Sequence, residues 1–268
     1  MRFDPGDVYA IWLREFKRWT RSRSRIIGSM AQPILWLVLF GTAFDAMFTG
    51  AAGGGMGGVP GESGLDFKSF FTPGIVAMTV LFGSVFSGIG LIFDREFGFL
   101  KEIMVAPVSR TSIMAGKGLG GATGAVISGL VIMVLAVAIG AHYTPDIPIA
   151  LAAVIAAATV LLISLAFVNM GIAFATVIQT FEGFQMIMNF LVMPMFFLSG
   201  AFYPVQAMPS WLQGATYVNP MFYGVDALRH CFNGSQAAAL PLGLDLLILL
   251  GFALFTTVVG VVLFRRME

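Results

Sequence analysis

The sequence predicts an all-α integral membrane fold with about six transmembrane helices, on three observations. Hydrophobic residues fill 58% of the 268 positions and charged residues only 11%, with a mean hydropathy of +0.90. A soluble domain carries about 25% charged residues, so much of a solvated surface is missing and lipid takes its place. Apolar runs of membrane-crossing length recur along the chain, and none alternates with the two-residue period of a barrel strand. Backbone groups in hydrocarbon are paired internally, which makes the runs helices.

The runs cover 26–48, 70–93, 113–141, 149–178, 184–202 and 242–264. The third and fourth exceed the minimum length, so tilt or an extramembrane start is expected there. Thirteen of the 15 Lys and Arg residues fall before the first run, between the second and third or in the opening turns of the third (Lys117), or after the sixth; Lys68 and Arg229 are the exceptions. An even number of crossings returns both termini to one side, and the positive-inside rule makes that side the cytoplasm. The chain reads as one domain over 1–268: a cytoplasmic interfacial helix at 1–25, a six-helix membrane domain at 26–264 and a cytoplasmic tail at 265–268. Gly41-Thr42-Ala43 has the small-x-small form of a cleavage site, but the long basic stretch before it argues against a cleaved signal.

Three segments are more than spans. Between Asp7 and Arg21, helical periodicity places Val8, Tyr9, Trp12, Leu13, Phe16 and Trp19 on one arc. It places Arg14, Lys17, Arg18 and Arg21 on the other, with Glu15 out of pattern. A basic helix with an aromatic face lies in the headgroup plane, as an anchor or as a docking element using Trp12, Phe16 and Arg18. The cytoplasmic stretch 94–110, drawn as a helix, gathers Phe97, Phe99, Leu100, Ile103 and Met104 on one arc. Glu96 falls among them, where a carboxylate needs a partner, and Pro107 ends the element. Between the fifth and sixth runs, 203–229 is too apolar for a free loop and too broken by proline for a span. An external re-entrant hairpin of half-helices satisfies both facts, with Asp226 and Arg229 spaced to pair on a helix.

Charge and composition exclude several functions. A net charge of +1 gives no footprint for nucleic acid. Cys231 is the only cysteine, so no intramolecular disulfide or multi-cysteine metal site exists. His142 and His230 are far apart, which gives a metal centre little to build on. No Asp-rich, His-rich or Ser/His/Asp grouping offers catalytic chemistry, so no catalytic residue is expected. The alternative of a secondary transporter or channel wants ionisable residues at the midplane. The span interiors offer only Asn169, Gln185 and Asn189, with Asp45, Glu182 and Asp245 near the ends. The spacing Gly116/Gly120/Gly124/Ser128 permits close helix approach, within one subunit rather than across a dimer seam.

Four local patterns, in order along the chain, carry a resemblance. They are Thr72-Pro73-Gly74-Ile75; Asp94-Arg95-Glu96-Phe97-Gly98-Phe99-Leu100-Lys101-Glu102 through Ala106-Pro107-Val108-Ser109-Arg110 and Gly116-Lys117; Phe197-Leu198-Ser199-Gly200-Ala201-Phe202-Tyr203-Pro204; and Asn219-Pro220 followed by Asp226-Ala227-Leu228-Arg229. Together they resemble the ABC-2 family of ABC-transporter permeases, especially the daunorubicin-resistance and nodulation-factor exporters. Lys101 and Glu102 depart mildly from the family pattern, which has an acidic and then a less polar residue.

The resemblance implies a permease subunit of an ATP-driven exporter in a bacterial or archaeal plasma membrane, moving an amphiphilic substrate (drug, lipid or lipo-oligosaccharide) outward. It implies two ABC-type ATPase subunits as partners and a second permease subunit in a homodimer. Coupling would run through Glu96, Gly98, Leu100, Glu102, Pro107 and Arg110. Pro220, Asp226 and Arg229 would form the external hairpin, and Met195, Phe196 and Phe197 are candidates for substrate contact. ATP and Mg²⁺ are expected on the partner, with no cofactor on this chain. The sequence has no G-x-x-x-x-G-K-S/T loop, since Gly116-Lys117 is followed by Gly118.

Overall fold

Ten α-helices and three short 3-10 turns make up the regular structure of the computed structural model, which describes residues 4–48, 67–99 and 108–266; among these there is no strand. Helix α1 (Pro5–Arg21) begins at an Asp4 cap whose Oδ1 accepts from Gly6 N, with Pro5 in the first turn where its missing N–H costs nothing. Helix α2 (Arg23–Phe48) follows one residue later. Helix α3 (Phe67–Val85), a 3-10 turn (Phe86–Gly88) and α4 (Ile89–Glu96) form one nearly continuous rod. Then come α5 (Arg110–Ala138), α6 (Ile149–Val177), α7 (Phe181–Phe197), α8 (Ser210–Val218), α9 (Pro220–Asn233) and α10 (Leu242–Arg265).

Five elements among the described residues are long and apolar enough to cross a bilayer: Ile26–Ala43, Lys68–Glu96, Arg110–Ala138, Ile149–Val177 and Leu242–Arg265. The fifth predicted run becomes the shorter α7, 17 residues long and ending at Phe197 rather than near 202. The chain turns there at Gly200, whose φ of +72° suits a residue without a Cβ. Outward-facing apolar side chains are numerous, among them Phe190, Leu247, Leu254, Phe255 and Val258. A water-soluble surface does not carry apolar patches on this scale, and the chain is a multi-pass membrane protein.

Helix α10 shows how each span divides its faces. Asp245, Leu249, Ala253, Thr256, Gly260 and Phe264 recur every three to four residues and are buried, mainly against α6 with α9 and α5 also in contact, while the opposite side is bare. Asn169 of α6 donates to Thr257 Oγ1 at 2.6 Å, so this span amide serves helix packing. The core lies where α3, α5 and α6 meet. There Gly88 and Gly171 let backbones touch: a Cβ on Gly171 would lie 2.5 Å from the Val85 carbonyl oxygen, and one on Gly88 2.6 Å from that of Gly171.

The start of the stretch 94–110 departs from the single helix drawn from sequence. Asp94, Arg95 and Glu96 form the last turn of α4, and Gly98, at φ +79°, ends the rod. Leu100, Glu102 and Pro107 lie outside the described residues.

Candidate functional site

Basic and acidic side chains converge at the pole where α1, α4 and the start of α5 meet. The glycine stripe of α5 is the seat of α1. A Cβ on Gly116 would lie 2.7 Å from Ile11 Cβ, one on Gly124 would lie 2.8 Å from Trp19 Nε1, and Gly120 abuts Glu15. Trp12 Nε1 donates to Thr123 Oγ1 at 2.9 Å. The stripe therefore packs within the subunit, and its partner is the N-terminal helix. Successive seat residues of α1 are Val8, Ile11, Glu15 and Trp19, spaced three to four apart. That seam runs between the aromatic and basic arcs, which explains why Glu15 breaks the amphipathic pattern. Tyr9, Trp12, Phe16 and Trp19 stack along the helix with centroids 5.6, 5.6 and 6.4 Å apart, and Tyr9 is exposed.

Asp94 is the centre of the pole. Its side chain is 5% exposed and meets Lys117, itself 6% exposed, in a short hydrogen bond. Arg18 Nη1 donates to Asp94 Oδ1 at 3.1 Å and Arg14 Nη2 to Oδ2 at 3.4 Å; Glu15 lies 3.6 Å from Lys117. Three cations thus face two carboxylates, tying α1 and α5 to the last turn of the α3–α4 rod. Arg95 donates to the Thr176 carbonyl at 3.1 Å, and Arg110 to the Arg265 carbonyl at 2.7 Å. Both cap helix ends whose final carbonyls lack intrahelical partners. Arg110 is thereby bound to α10. Glu96 is exposed, so it needs no protein partner, contrary to its place in the predicted apolar arc. The buried carboxylate is Asp94, two residues earlier.

A cavity of about 510 Å³ adjoins this pole. Glu15, Arg18 and Lys117 line its polar end, while Met78, Phe82 and Phe86 contribute apolar wall. Met195, Phe196 and Phe197 are not part of it. Phe196 is buried, 5.2 Å from Phe202 by ring centroids; Phe197 is exposed and stacks on Phe202; the Met195 carbonyl accepts from Asn219 Nδ2.

The other motif segments meet at the opposite pole. Pro73 has no N–H, so the Ser69 carbonyl four residues back loses its helical donor; Asn233 Nδ2 supplies one at 3.1 Å. Gly74 admits the Ala201 backbone, where a Cβ would lie 2.9 Å from the Ala201 carbonyl oxygen. Asn219 caps α9 by accepting from Met221 N, with Pro220 in its first turn. Asp226 and Arg229, expected to pair, are 3.9 Å apart, but their closer bonds go to backbone. Asp226 accepts from Ala239 N and Leu240 N at 2.9–3.0 Å, and Arg229 donates to the Gly200 carbonyl at 2.8 Å while lying over Phe70. Protein surrounds α9, which packs on α3, α6 and α10.

A sequence profile described as ABC-2 type transporter matches residues 6–233. The chain is similar to a protein named as transport permease ycf38 of Cyanophora paradoxa, with 29% identity covering 97% of this chain and 88% of the relative. It is also similar to the inner membrane transport permease YadH of Escherichia coli K12, at 26% identity over 84% and 82% of the two chains. Nodulation protein J of Rhizobium meliloti is 28% identical over 84% and 81%.

Proposed function

The chain belongs to the ABC-2 type transporter family, and from that premise we propose that it is the membrane subunit of an ATP-driven exporter that moves an amphiphilic substrate outward. In this reading α7 is the sixth crossing, α8 and α9 form the external re-entrant hairpin, and both termini face the cytoplasm. The subunit pairs with a second copy of itself, and two separate ABC-type ATPase subunits bind ATP and Mg²⁺.

The observation that carries the reading is the grip on Asp94. The chain leaves α4 at residues 97–99, next to Asp94, and in this reading the segment that follows meets the cytoplasmic partner. Displacement of that segment is delivered to α4 through Asp94, to α5 through Lys117 and to α1 through Arg14 and Arg18. Three helices then move together. Glu96 and Gly98 are offered to the ATPase at the exposed end of the rod, followed by Leu100, Glu102 and Pro107. Arg110 relays motion to the end of α10. The adjoining cavity supports the substrate class, since cationic groups at one end and Phe and Met side chains along its walls suit a polar head and an apolar tail.

The test is copurification and reconstitution with an ABC-type ATPase. The ATPase is expected to copurify, and its turnover to rise with the permease present. Glu96→Ala and Gly98→Trp should insert normally and lose that stimulation. Transport by the chain alone, or unaltered stimulation in both variants, overturns the proposal.

A further inference from the structure

A second group of ionisable side chains sits at the pole opposite Asp94, and the transport reading makes no use of it. Asp226 and His230 are four residues apart on α9 and share a face. Asp245 stands in the first turn of α10. Their ligand atoms all lie within 4.8 Å of one another. We propose that Asp226, His230 and Asp245 bind a divalent first-row transition cation that staples α9 to the last span.

Asp245 is the residue that demands a ligand. Its side chain is fully buried, and neither carboxylate oxygen has a hydrogen-bond partner. His230 Nε2 is 4.0 Å from Oδ2, too far for a hydrogen bond. A buried carboxylate with no partner is costly, and a bound cation removes that cost. Charge counting points the same way. Two buried carboxylates face one guanidinium, and Arg229 is 3.9 Å from Asp226 with its closer bond to the Gly200 carbonyl. With both carboxylates ionised and the imidazole neutral, one negative charge is left for a cation to balance.

The donor set favours this class of cation. Asp226 accepts backbone N–H bonds from Ala239 and Leu240, which hold its carboxylate in place and leave acceptor capacity on the oxygens. His230 Nε2 is 2.6 Å from the Leu240 carbonyl oxygen, a further oxygen donor beside the group. One imidazole nitrogen with carboxylate oxygens suits Zn²⁺ or Mn²⁺ better than a thiolate-seeking ion. Binding needs Nε2 without its proton, and the neutral ring meets this by carrying its single proton on Nδ1 while Nε2 turns from the Leu240 carbonyl to the metal.

The whole permease, purified in detergent without a histidine tag and stripped with chelator, is titrated calorimetrically with Zn²⁺ and Mn²⁺ in two buffers of different ionisation enthalpy. Saturable binding near one equivalent per chain is expected, with the same heat in both buffers. Asp245→Asn and His230→Gln should each weaken it by more than about tenfold, and His142→Gln should not. Absence of saturable binding to the wild-type chain overturns the proposal without recourse to any variant. Equal affinity in Asp245→Asn and His230→Gln overturns it too. So does an Asp245→Asn chain that melts higher while the wild type takes up no cation, since Asp245 would then be a protonated carboxyl beside Asp226.

Discussion

Removing the Asp94 carboxylate tests the basic pole most directly. Asp94→Ala leaves Lys117 buried with only Glu15, 3.6 Å away, in its neighbourhood. Breaking a buried ion pair by deleting one partner costs about 3–5 kcal/mol. Glu15 retains part of the interaction, so the lower end, about 3 kcal/mol, is expected. The Arg14 and Arg18 bonds add little, because those side chains are 43% and 39% exposed; exposed pairs contribute about 0–1 kcal/mol. Lys117→Met is milder, about 1–2 kcal/mol, since Asp94 keeps Arg18 at 3.1 Å. In the double variant no charge is stranded, so its loss should fall below the sum of the single losses by about 2 kcal/mol. Reversible unfolding in mixed micelles, with thermal melts alongside, measures all four species. Losses that add to within about 0.5 kcal/mol would show that the two groups are not coupled and would refute this account of the pole.

Two further outcomes follow from the same geometry. Gly120→Val puts branched carbon where Glu15 packs, so α1 should lift from α5 while the bundle stays folded; limited proteolysis should then cut within residues 5–21 far faster than in wild type, and unchanged protection would count against the seat. At the other pole, Ser235 donates to Asp146 through its backbone N–H and hydroxyl, and these bonds hold the Asp146 carboxyl below its ordinary range. A depressed carboxyl stabilises the fold above its unfolded pKa, about 4, and that contribution fades as pH falls through the lower folded value. The melting temperature of Ser235→Ala should therefore trail wild type at neutral pH and converge with it in acid; a gap that persists in acid would refute the assignment.

The membrane helices were legible because lipid enforces long apolar runs, and hydropathy is a local property. Four of the predicted runs and the greater part of the second correspond to long helices, while the fifth is displaced toward its N-terminus. The resemblance carried by the four patterns is matched by the family to which the chain belongs. The pole around Asp94 was not legible. Hydropathy ends the second run at Phe93, which leaves Asp94 outside the span, and its partners are Lys117 on the next long helix and Arg14 and Arg18, 80 and 76 residues away in sequence. The glycine stripe announced close packing but not its partner, because glycine spacing carries no information about the helix it receives. Asp226 and His230 share a face by spacing alone, yet Asp245 joins them only through the turn made by 234–241. The expectation of a partner for Glu96 failed for a related reason: it assumed one uninterrupted helix, and Gly98 breaks it.

The burial of α9 bears on how the protein is assembled in the cell. Its 14 residues include Asp226 and Arg229, both buried, and moving either alone into hydrocarbon is unfavourable. No machinery that sorts segments by apolarity would release α9 sideways into lipid. It gains its surroundings only when α3, α6 and α10 are already standing, and α10 is synthesised after it. On that ground α9 is expected to reach its buried place only after α10 has been made.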